Sequence, residues 1–338
     1  MAFWAGRGRA QAGERDYRPG YQTVARPATG LTMSLCLGLL LAAIPAGAVD
    51  RAAAFLEAGS GGRAAGLGDA YSAAADDPSA AIWNPAGLAR VRRWQASAAL
   101  QPLSLGRRQS SVSAALNVRG DLAFGGTWVH AGVEGLEGRT SSGARTGAMD
   151  DAENAVCVGV ARTLNRGLAV GAAMLIVDQR LVLPAGLGWP DATASGHGFG
   201  LGLQWQLGQR ATLAAAARNL GGNLQWQVRR GSQQASTSVD PLGRVLAAGA
   251  AVQLTRQVLL CADLRDDGEA HGAVGVEWRT GDLLTVRAGA ARLGAGANAS
   301  AGLTVRPMRT RALQFDYAYV SDPLGAGDRV VLGLGVAF

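Results

Sequence analysis

The chain contains no lysine: all 32 basic residues are arginine, set against 25 acidic ones. The arginines are interleaved with acids, and no basic run or basic–aromatic stripe marks a nucleic-acid surface. An arginine-only cation set is also what a GC-rich coding sequence produces, together with abundant Ala and Gly. Histidine is scarce, and His130, His197 and His271 are too scattered in sequence to argue metal ligation. There is no Gly-x-Ser-x-Gly elbow and no Ser/His pair placed for an outer-membrane phospholipase. Gly-x-Gly strings such as Gly198-Phe199-Gly200 lie inside alternating segments rather than at a phosphate loop. The expectation is therefore a protein that is not an enzyme and carries no cofactor or metal. Aromatics make up only 6% of residues while glycine numbers 49, so a packed globule would bury little area per side chain. Apart from residues 31–45, no apolar run approaches the length of a membrane-spanning helix.

That one run (LTMSLCLGLLLAAIP) is preceded by arginines including Arg18 and Arg26 and followed by Ala46-Gly47-Ala48. A basic start, a short apolar stretch and small residues at −3 and −1 are the parts of a secretory signal. Residues 1–48 are read as a signal peptide cleaved after Ala48, behind an unusually long n-region. Cys36 falls inside the run without a lipoprotein context. The remaining Cys157 and Cys261 fall on separate predicted strands and are expected as two buried free thiols.

From Trp94 onward the pattern has period two. Phe199, Leu201, Leu203, Trp205 and Leu207 alternate with Gly and Gln; Leu168, Val170, Ala172, Met174 and Ile176 form another apolar face. Val330, Leu332, Leu334, Val336 and Phe338 form a third at the carboxyl end. Alternation over about ten residues is a strand with one apolar face. The opposite faces carry small, polar or charged residues. Large apolar groups outside and polar groups inside describe a transmembrane barrel, with lipid outside and a polar lumen within.

Segmentation gives strands at 94–103, 109–118, 121–130, 153–162, 167–178, 196–207, 211–219, 242–254, 257–265, 271–279, 283–292, 296–306, 312–320 and 329–338. The fold class is thus all-β, a 14-stranded antiparallel barrel over residues 94–338. Long connections (131–152, 179–195, 220–241, 321–328) follow odd-numbered strands and tight turns follow even ones, the asymmetry of outer loops and periplasmic turns. Residues 223–229 (NLQWQVR) read as extended, and are assigned to an outer loop because a fifteenth strand would put the chain ends on opposite sides. Residues 49–93 read differently: Ala-rich, broken by Asp-Pro and Asn-Pro, with helical turns expected at 66–75, 79–83 and 85–89. A segment of this size before a barrel either hangs in the periplasm or fills the lumen as a plug.

Phe55-Leu56-Glu57-x-Gly59, Gly66-Leu67-Gly68-Asp69-Ala70 and Trp83-Asn84-Pro85-Ala86-Gly87-Leu88 resemble the opening of the PorV/PorQ branch of the FadL-type outer-membrane proteins. Weaker fragments follow in order: Gly135-Leu136-Glu137-Gly138-Arg139, Arg218-Asn219-Leu220-Gly221, Gly281-Asp282-Leu283-Leu284 and Phe315-Asp316-Tyr317-Ala318-Tyr319-Val320. The resemblance implies an outer-membrane barrel of a Gram-negative-type bacterium with a hatch in its lumen. It implies one of two roles: passage of small hydrophobic molecules, as in FadL, or a binding and scaffold role in type IX protein secretion, as in PorV. Partners would then be outer-membrane lipid, the barrel-insertion machinery, and a hydrophobic ligand or secretion components.

Candidate residues follow from this plan. Asn84, Pro85, Ala86 and Gly87 form the hatch motif, explicable as a cap, a first-turn proline and a stop. Asp76-Asp77 reads as a helix cap rather than a cation site. Phe55, Leu56, Leu67, Tyr71, Ile82, Trp83 and Leu88 are candidates for a ligand path. Asp263, Glu277, Arg279, Arg287, Arg306 and Asp316 are expected as lumen charges, with Glu277 and Arg287 as near-diagonal neighbours. Such charges would brace the hatch, line a polar path or simply be hydrated. Phe338 is the expected insertion signal.

Overall fold

The computed structural model describes residues 52–165, 167–182, 191–230, 233–293, 296–307, 312–322 and 327–338. The expected signal peptide, residues 1–48, lies outside the described residues. Fifteen strands form one closed antiparallel wall: β1 (Trp94–Pro102), β2 (Arg108–Asn117), β3 (Leu122–Arg139), β4 (Arg145–Asn165) and β5 (Leu168–Val182) come first. They are followed by β6 (Asp191–Leu207), β7 (Ala211–Arg230), β8 (Gln233–Pro241), β9 (Val245–Gln253) and β10 (Val258–Asp266). The last five are β11 (Ala270–Arg279), β12 (Leu284–Ala291), β13 (Asn298–Val305), β14 (Leu313–Val320) and β15 (Arg329–Ala337). Consecutive strands pair except β8 with β9, and β1 closes on β15 with Gln95 opposite Ala337 and Leu100 opposite Leu332.

Fifteen strands occupy fourteen wall positions because β8 and β9 share one. β7 pairs with β9 along Ala211–Arg218 and with β8 along Asn223–Arg230. The expected outer loop at 223–229 is therefore the upper part of β7, and the eighth wall strand begins at Gln233 rather than at 242. It is interrupted after Pro241, whose missing N–H cannot continue a ladder. Opposite the interruption, Asn219 and Gly221 take left-handed backbone angles (φ 58° and 61°), which Asn and Gly adopt most readily. The β6–β7 register slips on both sides of Phe199 as β7 accommodates the extra residues.

The alternation settles which face is which. Leu100, Val112, Phe124, Trp128, Leu201, Trp278, Phe315 and Leu332 are exposed on the outside of the wall. Gln109, Ser111, Ser113, Thr127, Gln204, Asp263, Glu277, Thr285, Arg287 and Thr304 are buried inside it. An apolar exterior around a polar interior is the opposite of a soluble barrel and matches a bilayer-spanning one. β3, β4, β6 and β7 run well beyond ten residues, so the longest hairpins rise above the apolar belt on the long-loop side.

Residues 52–93 run inside the wall as short turns: a 3₁₀ turn at Ala54–Ala58, α1 (Gly62–Gly66), α2 (Ala80–Trp83) and a 3₁₀ turn at Pro85–Arg90. The expected helix at 66–75 is absent; the helical turn lies earlier, and Asp69 follows it with φ 61°. Gly68 lies against the Ala290 backbone, where helix continuation would collide with the wall. Leu67, Tyr71, Trp83 and Leu88 are fully or almost fully buried, so the segment is core as much as plug.

The seam is finished by aromatic stacking. Phe338 N donates to the Trp94 carbonyl at 3.1 Å, and the two rings stack with centroids 4.2 Å apart. Replacing Phe338 by Ala removes an aromatic pair typically worth about 0.5–1.5 kcal/mol beyond its area. The expected outcome is a lower thermal midpoint for the folded gel band, with Phe338→Tyr close to wild type; equal midpoints for both variants would remove the seam role.

Candidate functional site

The hatch meets the wall on two shelves of glycine. Gly125 pairs with Gly159 and Gly171 with Gly202 on one side of the lumen; Gly275 pairs with Gly289 on the other. A Cβ on Gly171 or Gly202 would collide with the Asn84-Pro85-Ala86 backbone or the Asn84 side chain, and one on Gly125 would sit 2.5 Å from Leu88. On the opposite shelf, a Cβ on Gly275 would sit 2.5 Å from the Leu67 carbonyl oxygen. Only glycine allows backbone to approach backbone this closely.

Asn84 explains the hatch motif. Its Oδ1 accepts from Ala86 N at 3.2 Å, capping the turn that Pro85 opens. Its Nδ2 donates to the Ser72 carbonyl at 3.0 Å within the hatch and to the Leu203 carbonyl at 3.2 Å in the wall. Pro85, Ala86 and Gly87 are buried at the same junction. Gln204, inward on β6, donates to the Ser72 and Ala75 carbonyls at 3.1 and 2.9 Å. Gln109 reaches the Gly59 carbonyl at 2.8 Å, and Asp263 accepts from the backbone N–H groups of Tyr71 and Ser72 at 3.1 and 2.8 Å. The wall thus satisfies hatch backbone that no hatch secondary structure satisfies.

The lumen charges other than Asp263 form one group around Glu277, which ties to the hatch through Arg63 and acts as its latch, while Asp263 holds hatch backbone N–H groups separately. Arg63 on α1 donates to Glu277 at 2.8 Å and to Asp76; Arg287 donates to Glu277 at 2.9 Å, and Arg279 lies 3.1 Å away. Glu277 and Arg287 face each other directly across β11 and β12 rather than diagonally, because the turn at 280–282 is followed by Leu283 before β12 begins. Arg287 continues to Thr304 at 2.7 Å and Asp316 at 3.6 Å; Arg306 donates to Thr285 at 3.0 Å. Asp77, expected as a helix cap, instead turns the chain ahead of α2, whose N-cap is Ser79 without a side-chain cap: it accepts from Ser79 N at 2.9 Å and from the Tyr71 hydroxyl at 2.5 Å, while Asp76 takes Arg63. Burial pushes the Asp77 carboxyl up from its ordinary value. Among the described residues no group of His, Cys, Asp and Glu is arranged to hold a metal. Cys157 and Cys261 are buried and free.

Beneath the Ala54–Ala58 turn the packing opens into a cavity of about 270 Å³. Leu56, Ile82 and Trp83 from the hatch line it, with Leu175 and Val245 from the wall; Phe199, half-exposed on the outer face, borders it only at the wall interruption. Asp267, His271, Arg292 and Arg329 form its rim at the long-loop end. Of the ligand-path candidates, Leu56, Ile82 and Trp83 meet here. Phe55 borders a separate cavity, and Leu67, Tyr71 and Leu88 are consumed by hatch–wall packing. Sequence reading missed that Arg218 joins Arg265 in this cavity; its only signal was an inward strand position beside Asn219. The same lining includes Gly200, Asn219 and Gly243, residues of the wall interruption. At that interruption Asn219 Nδ2 donates to the Gly243 carbonyl at 2.8 Å, Leu242 N donates to the Gly222 carbonyl at 3.0 Å, the Leu242 side chain is buried inward, and Ala52 of the hatch bridges Leu242.

No family model and no curated protein matches the sequence. Solved structures do. The toluene transporter TbuX of Ralstonia pickettii is 17% identical, covers 83% of this chain and 98% of its own, and superposes with a TM-score of 0.58. The toluene transporter TodX of Pseudomonas putida is 15% identical over 82% and 96% of the two chains, TM-score 0.57. A FadL homologue of Pseudomonas aeruginosa is 14% identical over 82% and 98%, TM-score 0.57. The chain shares their fold.

The latch has a direct test. Glu277→Gln preserves shape but leaves Arg63 and Arg287 buried beside a neutral amide, a change that costs about 3–5 kcal/mol in comparable buried pairs. Arg279→Gln, on the exposed side of the group, should cost at most about 1 kcal/mol. Thermal unfolding in detergent is expected to rank them so, with hatch proteolysis rising only in the Glu277 variant. Equal midpoints would contradict the latch.

Proposed function

We propose that this protein lies in the outer membrane of a Gram-negative-type bacterium and passes small hydrophobic molecules across it. The observation that carries the reading is the cavity between hatch and wall whose lining runs into the interruption of β8 and β9 beside the bulged β7. An apolar solute entering from the long-loop end would rest against Leu56, Ile82 and Leu175, then leave sideways at the wall interruption past Asn219, Gly243 and Phe199. Water need not follow, because the hatch stays docked below. The cavity is at the small end of ligand pockets, which suits solutes of about ten non-hydrogen atoms. The shared fold with proteins described as toluene transporters supports the same solute size. The apolar belt and the signal at residues 1–48 support the location, and Phe338 is the residue proposed to be read during insertion.

A second reading, a PorV-like partner-binding role in type IX secretion, is favoured by the β3–β4 and β7–β8 hairpins, which present Leu136 and Val239 to the outside. A wall interruption connected to an internal cavity has no use in that role.

Uptake separates the two. Cells expressing the barrel are expected to accumulate radiolabelled toluene faster than cells carrying an empty vector. Gly200→Leu should reverse this: its Cβ has room, with the nearest atom 3.6 Å away, while the longer side chain fills the cavity. Uptake equal to the vector control would remove the transport reading.

A further inference from the structure

Outside the latch, Arg92, Arg93, Arg119, Arg162, Arg210 and Arg256 are exposed at the short-turn end of the barrel. Among the described residues only Arg162 of this set has a carboxylate within 4.0 Å, that of Asp121 at 3.2 Å. The acids of the short turns are Asp121 and Asp282. The long-loop end is balanced differently. The β3–β4 hairpin alone carries Glu134, Glu137, Asp150 and Asp151 against Arg139 and Arg145. There Arg108 pairs with Glu134, and Arg139 and Arg145 share Glu137. A GC-rich coding sequence accounts for arginine in place of lysine at both ends, but not for arginine without acids at one of them.

These arginines stand at the edge of the apolar belt. Trp94 follows Arg93, Val118 precedes Arg119, Leu254 lies just before Arg256 and Leu207 just before Arg210; all four apolar side chains are exposed. Arg162 continues the outward row of Val156, Val158 and Val160 on β4. An arginine at that level lays its methylenes along apolar surface and holds its guanidinium at the depth of lipid head groups. The positions belong to the ends of β1, β2, β4, β6 and β9, spaced around the wall, so the charge forms a collar rather than a patch. A protein partner covers one face of about 800 Å², whereas lipids meet a barrel on every side. The matching group is a phosphodiester, whose paired oxygens suit the guanidinium fork. A head group with no ammonium of its own leaves that negative charge free to be matched.

We infer that the short-turn end of the barrel binds anionic glycerophospholipid head groups, of the phosphatidylglycerol or cardiolipin class, in preference to zwitterionic phosphatidylethanolamine. The inference concerns the outside of the wall and goes beyond the transport reading; it shares with that reading only the membrane-spanning barrel.

The test is native mass spectrometry of the mature barrel released from nanodiscs of equal parts phosphatidylglycerol and phosphatidylethanolamine. The wild type is expected to retain an excess of phosphatidylglycerol of at least about threefold. Arg92→Gln, Arg119→Gln, Arg210→Gln and Arg256→Gln combined should bring the retained lipid to the composition of the disc, while Lys at the same positions should keep most of the excess. Arg108→Gln, Arg139→Gln and Arg145→Gln combined, at the long-loop end, should leave it unchanged. If the short-turn Gln variant does not give the heat-modifiable band, the wild type at raised salt decides, and its excess must fall with screening. Disc composition around the wild type, an excess that survives the short-turn variant, or an equal loss in the long-loop variant overturns the inference. Transport, read by toluene uptake, stands or falls separately. A protein that does not enter nanodiscs removes the membrane-spanning reading and this inference together.

Discussion

Glu277 is the point at which hatch and wall become one structure. A segment folded inside a barrel buries apolar side chains such as Leu67, Tyr71, Trp83 and Leu88 but meets few large apolar partners, because the wall turns most of its own outward to lipid. Polar, paired contacts must therefore fix where it sits. Arg63 on the hatch and Arg287 on the wall converge on the same carboxylate oxygen at 2.8 and 2.9 Å, both nearly shielded from solvent. The Coulomb attraction of such a group is offset by desolvation, so its net contribution is modest while its loss is costly. That asymmetry makes Glu277 a register pin: it opposes any other seating of α1 more than it stabilises this one.

The glycine shelves are the geometric counterpart. With Gly171, Gly202, Gly275 and Gly289 inward, the hatch backbone descends onto the wall far enough for Asn84 and Gln204 to share carbonyls across the boundary. Small inward residues would otherwise leave a water-filled gap and a loosely held plug. The same docking leaves one region unfilled, above Trp83, where the wall itself is interrupted. Fixed hatch, open pocket and interrupted wall are therefore consequences of one arrangement rather than three separate features.

Much of this was legible in the sequence. Period-two patterning from Trp94 to Phe338 gave face and strand order, because lipid imposes an apolar exterior on every strand. The inward charges were legible for the same reason. The eighth wall strand was not: Pro241 and Gly243 read as loop residues, and only pairing with β7 shows that the chain on both sides occupies one wall position. The hatch was legible as a segment but not in its turns. Its helix was expected at 66–75, and propensity there yields to the collision at Gly68. Likewise Leu67, Tyr71 and Leu88 could be ranked as apolar, but hydrophobicity does not distinguish a side chain that lines a cavity from one that fills it. Arg218 escaped notice because nothing local reveals that it turns inward over Trp83 of the hatch.

The central claim is that solute leaves through the wall while the hatch stays docked, and a staple tests it most directly. Ala65 on α1 and Ala318 on β14 pack in the same buried cluster, so Ala65→Cys with Ala318→Cys can be oxidised to lock the hatch to the wall. Toluene uptake by the oxidised pair is expected to match that of the reduced pair. Uptake that falls to the vector level on oxidation and returns on reduction would contradict the sideways route and assign passage to a moving hatch.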